Sequence, residues 1–448
     1  MSLTYETAIS RLLQLGHELA SREKFDLAHM RKLAEALGNP QRRLQSVLIA
    51  GTNGKGSTAA TLADIVQAAG YRTGLYTSPH LVDINERIQI DREPISDVEF
   101  TLIYERVEAA AQELVARGEL PWHPSFFEML TGVMFEYFAS AGVELAVLEV
   151  GMGGRLDATN IADPCLSVIT DIDFDHQKFL GNTLPEITRE KAGIMRPGGT
   201  VVLLPQHPQV NEILGDEITE RGARAVSAVR HMPPVTPEAG AARAGRNRFL
   251  LEVMGREILI DFPLSGLHQL RNLALAITAA EELNHCGFKV LPHHVAEGVR
   301  STRWRGRFEV LPAEESFPET VLDVAHNPAG AWALRSTLST FYGDRPLTFV
   351  FGAMRDKAIG EIARILFPLG ERVFAARANN PRAASPHEIA ELGRHTQIEI
   401  LEQESVKAAL EQARLSAGER GVVVITGSIY IVGEALGILA RSKVRQGV

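Results

Sequence analysis

Cysteine is scarce: Cys165 and Cys286 are the only two in 448 residues. Two thiols isolated in sequence provide no disulfide framework and point to a reducing compartment. Long apolar runs are also missing, and none approaches the roughly 20 residues that a membrane-spanning helix needs. The first twenty residues read as an amphipathic helix carrying Glu6, Arg11 and Glu18, without the apolar stretch of a secretion signal. The expected location is therefore the cytoplasm, with no membrane partner. Positive charge is in deficit, with a formal net charge of -9, which argues against a nucleic-acid partner. Small anionic ligands remain possible, because local lysines and helix ends hold them regardless of net charge. Internal repeats and low-complexity arrays are absent.

What is present is material for large buried sheets. Hydrophobic residues make up 45% of the chain and the mean hydropathy is -0.02, as expected of a globular protein with ample core. The length predicts two or three domains. Helical spacing is expected over residues 4–20, 31–37, 58–70, 97–117, 125–141 and 267–283, and strands over 46–50, 71–77, 145–150 and 166–170. Further strands are expected at 308–311, 320–324, 346–351, 371–376 and 421–425, and residues 232–247 read as an exposed loop. Strands alternating with helices predict an α/β fold with a largely parallel sheet, and a domain boundary is expected near residue 300.

The segment Ala50-Gly51-Thr52-Asn53-Gly54-Lys55-Gly56-Ser57-Thr58 lies between an apolar strand and a helix. This strand, Gly-rich turn and helix aim backbone N–H groups at phosphate. Lys55 adds positive charge, and the Ser57 hydroxyl is placed to meet a Mg²⁺ ion. The spacing departs from the usual phosphate-loop pattern because Gly56 separates Lys55 from Ser57. An ordinary tight turn needs a glycine or two but has no use for the lysine.

Other polar residues fall at strand ends, where ligands bind in open parallel sheets. Glu149 closes the apolar run Leu145–Val150 and needs a cation, solvent or a salt bridge, for which Arg155 and Lys191 are the available partners. His176 follows Asp173 and Asp175, so metal ligation, base catalysis and an exposed loop histidine all stay open. Lys191 reads, on spacing alone, as a surface helix lysine paired with an acid. Asp323-Val324-Ala325-His326-Asn327-Pro328 and Ile425-Thr426-Gly427-Ser428-Ile429-Tyr430 are strand-to-helix junctions that suggest a second ligand-binding edge.

Gly51 to Ser57, Thr77-Ser78-Pro79-His80-Leu81 and Gly151-Met152-Gly153-Gly154-Arg155-Leu156-Asp157-Ala158-Thr159-Asn160 together resemble the folylpolyglutamate synthase/dihydrofolate synthase family of the Mur ligase superfamily. Asp175-His176, Glu190-Lys191-Ala192-Gly193-Ile194, Asp323 to Pro328 and Thr426 to Tyr430 continue the match in order. The resemblance implies an N-terminal P-loop-type ATPase domain, residues 1–299, and a smaller C-terminal Rossmann-like domain, residues 300–448. It implies ATP-dependent joining of L-glutamate to a folate-type carboxylate through an acyl phosphate. Lys55, Lys191 and His176 match catalytic positions. Thr52, Asn53, Gly54, Lys55, Gly56, Ser57, Asn272, Arg307, Asp323 and His326 match ATP contacts. Ser57, Ser78 and Glu149 match positions around one Mg²⁺, and His176 with a carbamylated Lys191 match a second. Phe127, Asp157 and Ala158 match the pterin pocket, and Ser428 the glutamate end. The form of the Gly154–Asn160 stretch resembles bacterial bifunctional enzymes, for which dihydropteroate or a reduced folate is the acceptor, and a monomer is expected. Two departures stand out: Val324 where the family pattern has glycine, and Ala358 where it has an acid. A Mur-type ligase acting on another carboxylate and a non-ligating P-loop ATPase are the alternatives.

Overall fold

A computed structural model describes residues 3–15, 26–233, 247–314 and 317–445. The chain forms strands β1 (Gln45–Ala50), β2 (Thr73–Tyr76), β3 (Ile88–Ile90), β4 (Glu93–Pro94), β5 (Leu145–Glu149), β6 (Leu166–Ile169), β7 (Thr200–Leu203) and β8 (Arg224–Ser227). They lie side by side in the order β4-β3-β2-β5-β1-β6-β7-β8. The run β2-β5-β1-β6-β7-β8 is parallel, and the pairings of β3 with β2 and with β4 are antiparallel. Both faces of the central strands are covered, so β1 and β5 are continuous apolar runs, as buried parallel strands require. The hairpin β9 (Asn247–Val253) and β10 (Arg256–Phe262) packs its inner face into the same core as helices Lys55–Ala68 and Leu267–Glu282.

The second sheet begins at β11 (Glu309–Leu311) and adds β12 (Glu319–Leu322), β13 (Leu347–Phe351), β14 (Arg372–Ala375), β15 (Glu399–Glu402) and β16 (Val422–Thr426). Its order is β11-β12-β16-β13-β14-β15, parallel except for β11. Helix Pro292–Ser301 is the last element before it.

Several boundaries differ from the sequence expectation. The second helix starts at Leu27, earlier than expected, because the Asp26 carboxylate accepts the Ala28 N–H and opens the helix there. Ser125 is a cap rather than a helical residue, and it exchanges hydrogen bonds with Glu128. The first helix spans Tyr5–Gln14. The rest of its expected length reaches residues 16–25 and, like most of the expected 232–247 loop, lies outside the described residues. Strands β7, β8 and β15 were not expected. The last, Glu-Ile-Leu-Glu, is a short edge strand whose charged ends hide its apolar centre.

Candidate active site

The turn from β1 into helix Lys55–Ala68 is held open by its glycines. Gly54 sits at the helix N-cap in the left-handed region, with φ +90°. A Cβ there would fall 2.1 Å from Asn272 Oδ1. The extra glycine of the motif has a steric reason as well: a Cβ on Gly56 would lie 3.0 Å from the Trp304 ring and 3.2 Å from Glu149 Oε2. Thr52 fastens the turn to the loop after β6, since its hydroxyl donates to the Asp173 carbonyl at 2.9 Å and its N–H to the Asp171 carbonyl at 2.8 Å. Lys55 folds back, its Nζ 3.2 Å from the Thr52 carbonyl oxygen.

Glu149 is buried at the end of β5 and accepts the Ser78 N–H at 3.3 Å. Burial pushes its carboxyl up, opposed by Lys55, the Ser78 N–H and Arg307. The salt bridge to Arg155 or Lys191 that the sequence allowed is not formed. Arg155 pairs with Glu190 instead, at 2.8 Å. Lys191 is no surface lysine: it is buried, and its Nζ donates to the Gly51 carbonyl at 2.7 Å. Burial, with Lys55 nearby, pushes its amine down to about 7.

His176 occupies a left-handed position, φ 49°, at the start of a one-turn helix, and burial pushes its imidazole down to about 4. Its neighbour Asp175 is the more connected residue. Asp175 receives Lys357 Nζ at 2.5 Å and has His326 Nε2 at 3.5 Å and His176 Nε2 at 3.9 Å. Burial would raise its carboxyl, but the His326 hydrogen bond and the charges of His176, His326 and Lys357 outweigh that and hold it well below the usual range. The His326 ring is turned by a 2.9 Å contact between Nδ1 and the Val324 carbonyl.

From the second sheet, buried Asp323 accepts N–H groups of Phe308 and Ala325, both at 2.9 Å. Arg307 carries the charge that opposes the upward push of burial on Asp323. Asn327 Nδ2 donates to Asn53 Oδ1 at 3.0 Å across the cleft. Asn272 is buried and bound to Gln269 at 2.9 Å. Asp157 spends both carboxylate oxygens locally, on Met152 N, Thr159 N and Thr159 Oγ1, at 2.6–3.0 Å. The Phe127 ring packs where a Cβ on Gly151 would otherwise sit, and Ala158 is buried beside Asp157. Ser428 is buried, with its hydroxyl donating to the Gly352 carbonyl at 2.8 Å and accepting the Ile431 N–H.

A cavity of about 620 Å³ between the two sheets unites these groups. Every residue matched to a catalytic, ATP, metal, pterin or glutamate position lines it, from Thr52 to Ser428. So do Asp175 and Lys357, whose partnership joins residues 182 apart and left no local signal. Ala358, where the family pattern has an acid, is exposed at the start of helix Ile359–Leu366 and gives it no side-chain cap. Val324 is buried against Gly306, a matter of packing.

The Mur ligase middle domain matches residues 128–280, and the Mur ligase glutamate ligase domain matches residues 306–429. A Bacillus subtilis dihydrofolate synthase/folylpolyglutamate synthase is 32% identical over 416 residues, covering 91% of this chain and 93% of the relative. The chain belongs to the folylpolyglutamate synthase/dihydrofolate synthase family. Members of this family are ATP-dependent acid–amino-acid ligases of the folate–glutamate class, and so is this chain. A Mycobacterium tuberculosis folylpolyglutamate synthase solved with ADP and AMPPCP superposes with a TM-score of 0.86 at 33% identity, covering 97% of this chain and 99% of that one. Escherichia coli FolC in complex with DHPP and ADP gives 0.82 at 28% identity, covering 99% of each. Two alternatives, a non-ligating ATPase and a Mur-type ligase for another carboxylate, are set aside by the family assignment.

Proposed function

We propose that this ligase of the folate family joins L-glutamate both to dihydropteroate and to reduced folates, as a monomer in the cytoplasm, with the division between its domains at about residue 300. One observation carries the reading: basic and acidic groups of both domains face one cavity of about 620 Å³ into which the Gly-rich turn opens. The acceptor carboxylate takes the γ-phosphoryl group of ATP and ADP is released. The glutamate amine then attacks the acyl phosphate, loses a proton, and phosphate departs. Positioning and charge neutralisation dominate such chemistry. The Gly51–Ser57 turn presents N–H groups and Lys55 to the phosphates, and Asn272, Arg307, Asp323 and His326 hold the rest of the nucleotide. Phe127, Ala158 and the loop braced by Asp157 form the pterin wall. Ser428 shapes the glutamate end.

The donor set fits Mg²⁺. Among the described residues no three His, Cys, Asp or Glu side chains stand together at metal-holding spacing. That suits an ion that keeps several waters and binds mainly to one or two protein oxygens and to phosphate. Glu149, Ser57 and Ser78 would hold one ion, which when bound supplies positive charge against the phosphates. A second ion would need His176 and an anionic Lys191. An ammonium buried near Lys55 would repel it, whereas addition of carbon dioxide to the neutral amine, with release of a proton, gives a carbamate able to ligate.

Phosphate release from ATP, with Mg²⁺ and L-glutamate, tests the reading with dihydropteroate and tetrahydrofolate as separate acceptors. Turnover with both is expected, and EDTA abolishes it. Turnover with only one acceptor overturns the bifunctional reading.

A further inference from the structure

The two cysteines, 121 residues apart in sequence, meet in space. Cys165 immediately precedes β6, anchored by its N–H to the Ser46 carbonyl at 2.9 Å. Cys286 ends the turn Leu283–Cys286 that follows helix Leu267–Glu282. The Cys286 thiol donates to the Cys165 carbonyl oxygen at 3.5 Å, which brings the two cysteines together. Both are free thiols and only half-buried, so a small reagent can reach them.

From this juxtaposition we propose that Cys165 and Cys286 form a redox-closable pair that joins as an intramolecular disulfide under oxidising conditions. The side chains are not chemically equal. The adjacent Cys165 side chain and the charge of Arg224 hold Cys286 below the usual thiol range, against burial and the nearby Glu282 carboxylate. The adjacent Cys286 side chain, together with burial, pushes Cys165 up. Either thiol, once deprotonated, can open the exchange, and the other resolves it. With a small disulfide as oxidant and Cys286 opening, its sulfur displaces one thiolate and forms a mixed disulfide. Cys165 then attacks the Cys286 sulfur, gives up its proton and expels the second thiol. The protein loses two electrons and two protons, and the oxidant becomes two thiols.

The place in the fold defines the effect. Helix Leu267–Glu282 and β6 are already tied at the cavity end, where Arg271 grips Asp171 with Nη2–Oδ1 at 2.6 Å and Nε–Oδ2 at 2.9 Å. The thiols lie beyond the other end of that helix, whose axis runs about 17 Å from Arg271 to Glu282. Closure ties the second end. Because the bond spans a long stretch of chain, it restricts the unfolded state and raises thermal stability while leaving the cavity residues in place.

The test treats the full chain with oxidised glutathione, blocks remaining thiols with N-ethylmaleimide and maps peptides. The expected result is loss of both thiols, a Cys165–Cys286 linked peptide pair and a thermal midpoint higher by several degrees. Dithiothreitol reverses all three, and neither Cys165→Ser nor Cys286→Ser shows the rise. Thiols that stay free, that carry glutathione separately, or that cross-link two chains overturn the proposal.

Discussion

Lys357 Nζ lies 2.5 Å from Asp175 Oδ1, joining the C-terminal sheet to the loop that carries His176. Both side chains are largely shielded, with exposures of 12% and 11%, so removing Lys357 leaves the buried Asp175 carboxylate with only the more distant His326 and His176 rings beside it. Lys357→Met is expected to lower kcat/KM at least tenfold, about 1.4 kcal/mol in transition-state terms. Pairing it with Asp175→Asn gives a double-mutant cycle with a coupling of about 1–3 kcal/mol. Steady-state kinetics on the four proteins checks this, and additive losses would show that the contact does no coupling work.

Lys191 is expected to take up carbon dioxide. Labelled carbon dioxide should give a carbamate signal by ¹³C NMR, and Lys191→Arg, which cannot form it, should lose both the signal and at least about 100-fold in kcat. An active Lys191→Arg enzyme would remove the carbamate from the proposed mechanism.

Gly54→Ala combines an unfavourable left-handed φ with a contact of 2.1 Å to Asn272 Oδ1, which is itself buried and hydrogen-bonded. Backbone strain of about 1–3 kcal/mol is expected at such a position. The nucleotide turn should distort locally, raising the KM for ATP tenfold or more, while the melting temperature falls by only a few degrees. Steady-state kinetics with ATP varied measures the change.

His123 Nε2 lies 3.2 Å from Glu108 Oε2, away from the cavity. The Glu108 carboxylate holds His123 above its ordinary 6.5, and His123 in turn holds Glu108 below its ordinary 4.5. The histidine's contribution is complete below 6.5 and fades as pH rises through its higher folded value. The carboxylate's contribution is complete above 4.5 and fades as pH falls through its lower folded value. The stability difference between wild type and His123→Gln should therefore peak between 4.5 and 6.5, at about 1–2 °C in melting temperature, and shrink on either side. Thermal melts across pH measure it.

Much of this protein was determined by local sequence. Continuous apolar runs such as Leu145–Glu149 specify buried parallel strands, and glycine at 54 and 56 specifies a turn where backbone and ring approach closely. Polar residues set just past strand ends named part of the lining, Glu149, His176, Asp323 and Ser428 among them, because strand ends of one sheet share one edge. Lys191, Asn272, Arg307 and Phe127 came from the family resemblance alone. Short, charged strands such as β15 were not legible, since their pairing depends on a neighbour far along the chain. Tertiary structure alone decided the partnerships. It buried Lys191 against Gly51 where helical spacing suggested a surface ion pair, and it made Asp175 the meeting point of Lys357, His326 and His176. It also set two cysteines side by side that sequence leaves 121 residues apart. Spacing along a chain fixes what each segment can become, whereas desolvation and charge pairing depend on what the fold brings within a few ångströms.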